Sequence, residues 1–229
     1  MSFTRKIAYF LVHGLMKTNA EAKTLLKSGR VRLNGEVVLH NAFLTEDDTL
    51  SVDDTVVKKA LEKVYLRFYK PVGFQSSLNP IVENNLSDYF SAFPNLSIAG
   101  RLDQQSEGLL LLSNDGKWVE RMCHPQFEKE KEYWVELDKE MEPDLPEKLA
   151  AGVKLGDFTT QPCVCIALNK QSLQMVLKEG KNRQIRRMCH KMGYQVRRLV
   201  RIRIDRHHIH PLRPGDIEVF IPDAIFTPN

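Results

Sequence analysis

The sequence predicts an α+β protein in two units, residues 1–58 and 64–229. Helical periodicity appears twice near the start and is followed by a hairpin pattern. A short charged connector, Lys58 to Lys63, comes next, and from Val64 onward strand-like runs dominate, with helices interspersed. The 229 residues suffice for a full core, and 42% hydrophobic against 27% charged residues is ordinary globular material, which excludes a disordered or membrane-embedded class.

In the first unit, Ile7 to Met16 and Asn19 to Ser28 repeat apolar residues at helical spacing, and Gly29 ends the second helix. Val31 and Leu33 then alternate towards Asn34-Gly35, a strong hairpin-turn signal, and Val37 and Leu39 return from it. The acidic run Glu46, Asp47, Asp48 precedes a further strand, Thr49 to Val52.

In the second unit, Tyr65 to Lys70 reads as a strand ended by Pro71, Ser87 to Phe90 as a helical turn, Lys117 to Met122 as a helix and Glu132 to Leu137 as an alternating strand. Asn182 to Met192 sets Ile185, Met188, Cys189 and Met192 on one helix face and Arg183, Arg187 and Lys191 on another. Beyond Gly193, alternation sends Val200, Ile202 and Ile204 one way and Leu199, Arg201 and Arg203 the other. Helix and strand together are expected to present a cationic surface backed by core.

Net charge is only +4, yet Lys181 to Arg206 holds ten Lys or Arg against Asp205 alone, a local +9 that leaves the rest of the chain at −5. A second basic block, Met1 to Gly35, has seven Lys or Arg against Glu21. Either run by itself reads as a solvated face, whereas two separated ones fit a long polyanion such as RNA. The segment from Ile7 to Met16 imitates a secretory leader, but His13 and Gly14 break it and no small-x-small cleavage site follows. A cytoplasmic protein with no membrane partner is expected. Cys123, Cys163, Cys165 and Cys189 make no C-x-x-C pair, so neither disulfides nor a structural zinc site is expected. The cluster His207-His208-Ile209-His210 reads more simply as strand or loop alternation than as a metal site.

The stretch from Gly100 to Gly116 is the most informative. It sets Arg101 and Asp103 beside the apolar run Leu109 to Leu112, with Gly100 and Gly108 permitting tight backbone on either side. A carboxylate mounted on a loop that a buried strand holds rigid is how a catalytic group is carried. The alternative is that Asp103 merely closes a turn and pairs with Arg101 on the surface.

Lys70-Pro71-Val72-Gly73, Gly100-Arg101-Leu102-Asp103 with Ser106-Glu107-Gly108-Leu109, Lys131-Glu132-Tyr133, and Glu179-Gly180-Lys181-Asn182-Arg183-Gln184-Ile185-Arg186-Arg187-Met188 occur in a telling order and spacing. Together they resemble the ribosomal RNA pseudouridine synthases, in their single-site small- and large-subunit branch. The phrase from Ala22 to Val38 resembles the ribosomal-S4-type RNA-binding domain, with Thr18-Asn19 where Ser-Arg is usual. The resemblance implies an S4-type domain ahead of a catalytic domain built on a mixed, mainly antiparallel sheet. It implies that Asp103 is the essential aspartate, Tyr133 the active-site tyrosine and Arg186 the basic group that pairs with the aspartate. It also makes Lys23, Lys27, Arg30 and Arg32 RNA contacts, to which the basic block Lys181 to Arg206 adds Lys181, Arg183 and Arg187.

Each role makes chemical sense. Turning uridine into pseudouridine breaks a C–N glycosidic bond and forms a C–C bond, which an ionised carboxylate near the sugar can serve as nucleophile or base. An arginine fork would hold that carboxylate charged, and a tyrosine offers a flat face to uracil and a hydroxyl for the C5 proton. A uridine in folded RNA must be extruded, and Arg101 is placed to fill the gap or hold a phosphate. No cofactor or metal is expected, and the chain has neither a G-x-G-x-x-G nor a P-loop pattern. The expected partner is ribosomal RNA, 23S on the spacing from Asn182 to Met188, with 16S or transfer RNA as alternatives, and the expected state is a monomer. Two rivals remain: a non-catalytic assembly factor, which has no use for the three site residues together, and a methyltransferase, which needs a glycine-rich donor loop.

A departure stands at Arg203-Ile204-Asp205-Arg206, where this family commonly has a glycine after the Arg-Ile pair.

Overall fold

The computed structural model describes residues 5–156 and 158–222, and the chain divides into two compact units, 1–63 and 64–229. The charged connector thus groups with the first unit. The last residues of the sequence-based catalytic domain, 223–229, lie outside the described part. No helix among the described residues is long and apolar enough to cross a membrane.

In the first unit β1 (Arg5–Lys6) leads into α1 (Ile7–Gly14), and α2 (Asn19–Lys27) follows. Thr18 caps α2 reciprocally: its hydroxyl accepts from the Glu21 N–H at 3.2 Å while its own N–H donates to the Glu21 carboxylate at 2.7 Å. The unusual Thr18-Asn19 therefore still starts a helix. β2 (Val31–Leu33) turns at Asn34-Gly35 into β3 (Glu36–Val37), and both turn residues have positive φ, 52° and 89°. β4 (Phe43–Leu44) pairs with β1, while β5 (Leu50–Val52) and β6 (Thr55–Lys58) complete a four-stranded sheet in the order β3-β2-β5-β6. Ile7, Leu11, Ala22, Leu26, Val31 and Leu50 form the core beneath it.

The second unit starts with β7 (Tyr65–Lys70), a 3₁₀ turn at Ser87–Phe90, β8 (Ser97–Ala99) and β9 (Glu107–Ser113). Asp115 starts α3 (Gly116–Cys123) by accepting the Trp118 N–H at 3.3 Å. Then come β10 (Lys131–Leu137), α4 (Leu145–Ala150), β11 (Lys154–Leu155), β12 (Phe158–Thr159), β13 (Val164–Ala167) and β14 (Ser172–Leu177). The chain closes with α5 (Gln184–Lys191), β15 (Val196–Ile204), β16 (His207–His208) and β17 (Ile217–Val219). Among the described residues nine strands form one sheet, whose main path is β13-β14-β10-β15-β9-β7-β17, with β8 beside β9 and β16 beside β15.

Every pairing in this sheet is antiparallel except one. β15 runs parallel to β9, with Arg201 opposite Gly108. Gly108 has φ +112°, and a Cβ there would come within 2.6 Å of the Arg201 backbone nitrogen, so only glycine lets the strands close at this seam. On one face Leu66, Phe68, Leu110, Val135 and Met175 pack under Ile185, Met188 and Cys189 of α5. On the other, Leu109 and Leu111 are covered by Trp118 and Met122 of α3.

Because β15 lies inside the sheet and is covered on both faces, its alternation does not produce the cationic surface expected of it. Arg201 is 1% exposed. Arg203 donates to Glu132 at 2.5 Å and Glu130 at 3.1 Å. A bulge places Tyr133 opposite Arg201 although Glu132 faces Arg203, leaving Ile202 as the extra residue. The β15–β16 turn explains how the glycine can be missing: Asp205 takes φ +51°, and Lys129 holds its carboxylate at 2.8 Å while Arg203 holds its carbonyl at 2.7 Å.

Candidate active site

Asp103 lies on the loop between β8 and β9, and that loop is fastened on both sides. Ser76 Oγ donates to the Leu102 carbonyl at 2.8 Å and accepts the Leu102 N–H at 3.0 Å. The Gly73 N–H donates to the Gln104 carbonyl at 2.8 Å, and the Gln104 side-chain amide returns to the Gly73 carbonyl at 3.0 Å. Lys70 Nζ donates to the Ser106 carbonyl at 2.7 Å, and Arg201 donates to the carbonyls of Gly100 and Leu109, each at 2.8 Å. The Ser106 N–H closes a turn on the Asp103 carbonyl at 3.0 Å. The backbone is thus held by fixed partners, as buried polar groups require. The Asp103 carboxylate, by contrast, has no hydrogen-bond or ion-pair partner among the described residues. Arg101 beside it is exposed and does not pair with it.

Asp103 borders a cleft of about 1000 Å³ that also reaches Tyr133, Arg101, Lys181 and Arg183. Seven Lys or Arg line it against two carboxylates, Asp103 and Glu179, so its field favours an anionic ligand. Tyr133, 9% exposed, projects from β10 directly opposite Arg201.

Arg186, expected to pair with Asp103, grips the loop's backbone instead. Its Nη2 donates to the Gln105 carbonyl at 2.7 Å and to Ser106 Oγ at 3.4 Å, and its Nη1 to the Val196 carbonyl at 2.8 Å. Its Nε is buried without a partner among the described residues. Burial lowers its pKa and the Arg183 charge lowers it further, while the Asp103 charge, felt through space, opposes both. Arg186 borders a neighbouring hollow of about 630 Å³ with Gly73 and Arg197.

The other basic candidates divide by what they touch. Arg183 donates to the Gln105 side chain at 3.0 Å, Lys181 stands 3.8 Å over the Phe158 ring, and Arg187 lies 5.0 Å from the same ring while donating to the Leu155 carbonyl at 3.2 Å. In the first unit Lys23 and Lys27 are exposed on α2, Arg30 forms a two-pronged pair with Asp53, and Arg32 donates to the Gly35 carbonyl at 3.0 Å.

Sequence reasoning gave no site role to Lys70 or Ser76 and put Arg201 on the cationic surface. Lys70 is fully buried, and burial brings its pKa down to about 8, with the charges of Glu107 and Asp103 pulling upward. Part of the signal was present, a lysine closing the strand-like run Tyr65 to Lys70 and an arginine within the alternating run after Gly193. Which carbonyls they would meet depends on contacts distant in sequence.

The RNA pseudouridylate synthase family model matches residues 64–191, which is more than half of the chain and contains Asp103, Tyr133 and Arg186. The chain belongs to this family. The ribosomal large subunit pseudouridine synthase B of Bacillus subtilis (strain 168) is 30% identical over 224 residues, covering 94% of this chain and 91% of that one. The ribosomal small subunit pseudouridine synthase A of Vibrio parahaemolyticus is 32% identical over 225 residues, covering 94% and 96%. A crystal structure of a pseudouridylate synthase, 26% identical, superposes with a TM-score of 0.66 over 94% of this chain and 96% of its own. Its likeness extends across both units of this synthase.

Proposed function

We propose that this synthase isomerises uridine to pseudouridine in ribosomal RNA, with Asp103 as the reacting carboxylate. The observation that carries the assignment is the unpartnered Asp103 side chain on a loop fastened from both sides, in a cation-lined cleft beside Tyr133. A carboxylate that only closed a turn would be engaged by its neighbours, and this one is not.

The reaction breaks C1′–N1, forms C1′–C5, removes the C5 proton and places a proton on N1, with no net change of oxidation state. No electron carrier enters that balance. Asp103 serves the sugar side, either adding to C1′ as uracil departs or taking the C2′ proton to give a glycal. Either role demands a fixed carboxylate, because a small misplacement of a reacting group is costly in rate. Tyr133 supplies a face for the released uracil and a hydroxyl for the C5 proton. Arg186 acts through position: by holding the Gln105 carbonyl it fixes the turn that begins at Asp103. Arg101, exposed at the cleft edge, takes the place vacated by the extruded uridine.

Exposed Lys23 and Lys27 supply phosphate contacts from the first unit, whereas Arg30 and Arg32 must exchange internal partners to do so. The target we infer is the large-subunit RNA, on the spacing from Asn182 to Met188. The test is to map pseudouridine by carbodiimide modification and primer extension in both ribosomal RNAs, from cells with and without the gene. One stop lost from 23S RNA and regained on complementation supports the reading. A stop lost from 16S RNA moves the target, and unchanged maps in both RNAs reject it.

A further inference from the structure

Two cations at the floor of the cleft are held by no carboxylate among the described residues. Arg201 is 1% exposed, and Lys131 is half-buried and runs past Gly180. Neither makes an ion pair among the described residues. Arg201 gives three hydrogen bonds, all to backbone carbonyls, at 2.8 Å to Leu109, 2.8 Å to Gly100 and 3.4 Å to Arg101. Lys131 Nζ gives one, to the Lys129 carbonyl at 2.9 Å. A guanidinium has five N–H donors and an ammonium three, so each cation keeps donors in reserve.

The two are close enough to oppose one another: burial lowers the Lys131 pKa, and the Arg201 charge lowers it further. Placing like charges together away from water is unfavourable unless an anion joins them. Their position says which anion. On β10, Lys131 and Tyr133 are two residues apart and so point the same way, and Arg201 is the cross-strand partner of Tyr133. All three line the cleft that Asp103 borders.

We propose that Lys131 and Arg201 form a phosphate-binding site on the floor of the cleft, which grips a backbone phosphodiester of the nucleotide whose base meets Tyr133. This rests on the RNA-modifying reading of the same cleft. The site anchors the extruded nucleotide by its backbone, independently of base identity. It supplies the negative charge that the buried pair lacks, and it favours the protonated form of Lys131.

The test is competitive acetylation of the intact protein with trace acetic anhydride, read lysine by lysine by mass spectrometry. Inorganic phosphate is compared with chloride at equal ionic strength, and Lys170 on the surface serves as the reference. Because only the neutral amine reacts, bound phosphate should slow Lys131 by about threefold or more while Lys170 is unchanged. The Arg201→Gln variant, if folded by circular dichroism, should lose that protection. Equal labelling of Lys131 in phosphate and chloride overturns the site, whether or not the variant folds. Adding deproteinised ribosomal RNA separates this proposal from the reading beneath it. If RNA shields Lys178 and Lys181 but leaves Lys131 reactive, the RNA reading stands and the site falls. If phosphate protects Lys131 but RNA shields no cleft lysine, the site stands and the RNA reading falls.

Discussion

Gly108 and Arg201 meet backbone to backbone at the parallel seam of the large sheet, and a side chain on Gly108 would come within 2.6 Å of the Arg201 nitrogen. This contact locates the Arg201 guanidinium, which in turn holds the Gly100 carbonyl three residues before Asp103. Gly108→Ala should therefore destabilise the protein by roughly 2–4 kcal/mol, from the positive φ and the overlap together. Urea unfolding measures it, and a change under about 0.5 kcal/mol, the usual effect of a surface substitution, would mean that the seam relaxes freely.

Arg186→Lys keeps the charge but loses the fork that joins Gln105, Ser106 and Val196. We expect kcat to fall by about a hundredfold with RNA affinity changed by no more than a few-fold, since the effect is on the placement of Asp103. Parallel losses of kcat and affinity would make Arg186 a phosphate contact.

Lys70 makes stability depend on pH in a stated direction. Its folded pKa of about 8 lies below the ordinary lysine value of 10.5, so between these pH values the unfolded chain binds more protons. The stability of the wild type relative to Lys70→Met should be flat below pH 8 and rise from about pH 8 to 10.5. Paired urea titrations across that window test it. A relative stability that falls with rising pH would show that a partner holds the buried lysine charged, with its folded pKa above that of the unfolded chain.

Much of this was legible in the sequence. The Asn34-Gly35 hairpin, the apolar face of α5 and the buried Leu109–Leu112 run follow from turn chemistry and periodicity, which are local. The motif residues Asp103 and Tyr133 could be named because their order and spacing are specific. What escaped was non-local. The parallel pairing of β9 with β15 joins residues about ninety positions apart, and without it Arg201 reads as a surface cation rather than a buried clamp. The pairing of Arg186 with Asp103 is what the family resemblance implies, whereas the fold offers that guanidinium the carbonyls of Gln105 and Val196. Strands β11 to β14 and helix α4 were not anticipated, since two of those strands have only two residues each and the Asn169-Lys170-Gln171 turn lacks the Asn-Gly type of signal.

Residues 1–63 form a unit with its own core, so the chain from Val64 onward should fold without them. Removing them should weaken RNA binding and flatten its dependence on salt, while the isomerisation survives at high RNA concentration. Filter binding across a salt series measures the slope. An unchanged slope would exclude the first unit from phosphate contact.

The central claim is that the free Asp103 carboxylate performs the chemistry. Release of tritium from 5-tritiated uridine in ribosomal RNA transcripts tests it most directly, comparing wild type with Asp103→Asn, which preserves shape and removes charge. We predict release by the wild type and none by the variant, with both binding RNA equally. Release by both would remove Asp103 from the mechanism, and silence from both with tight binding would contradict the assignment of ribosomal RNA as substrate.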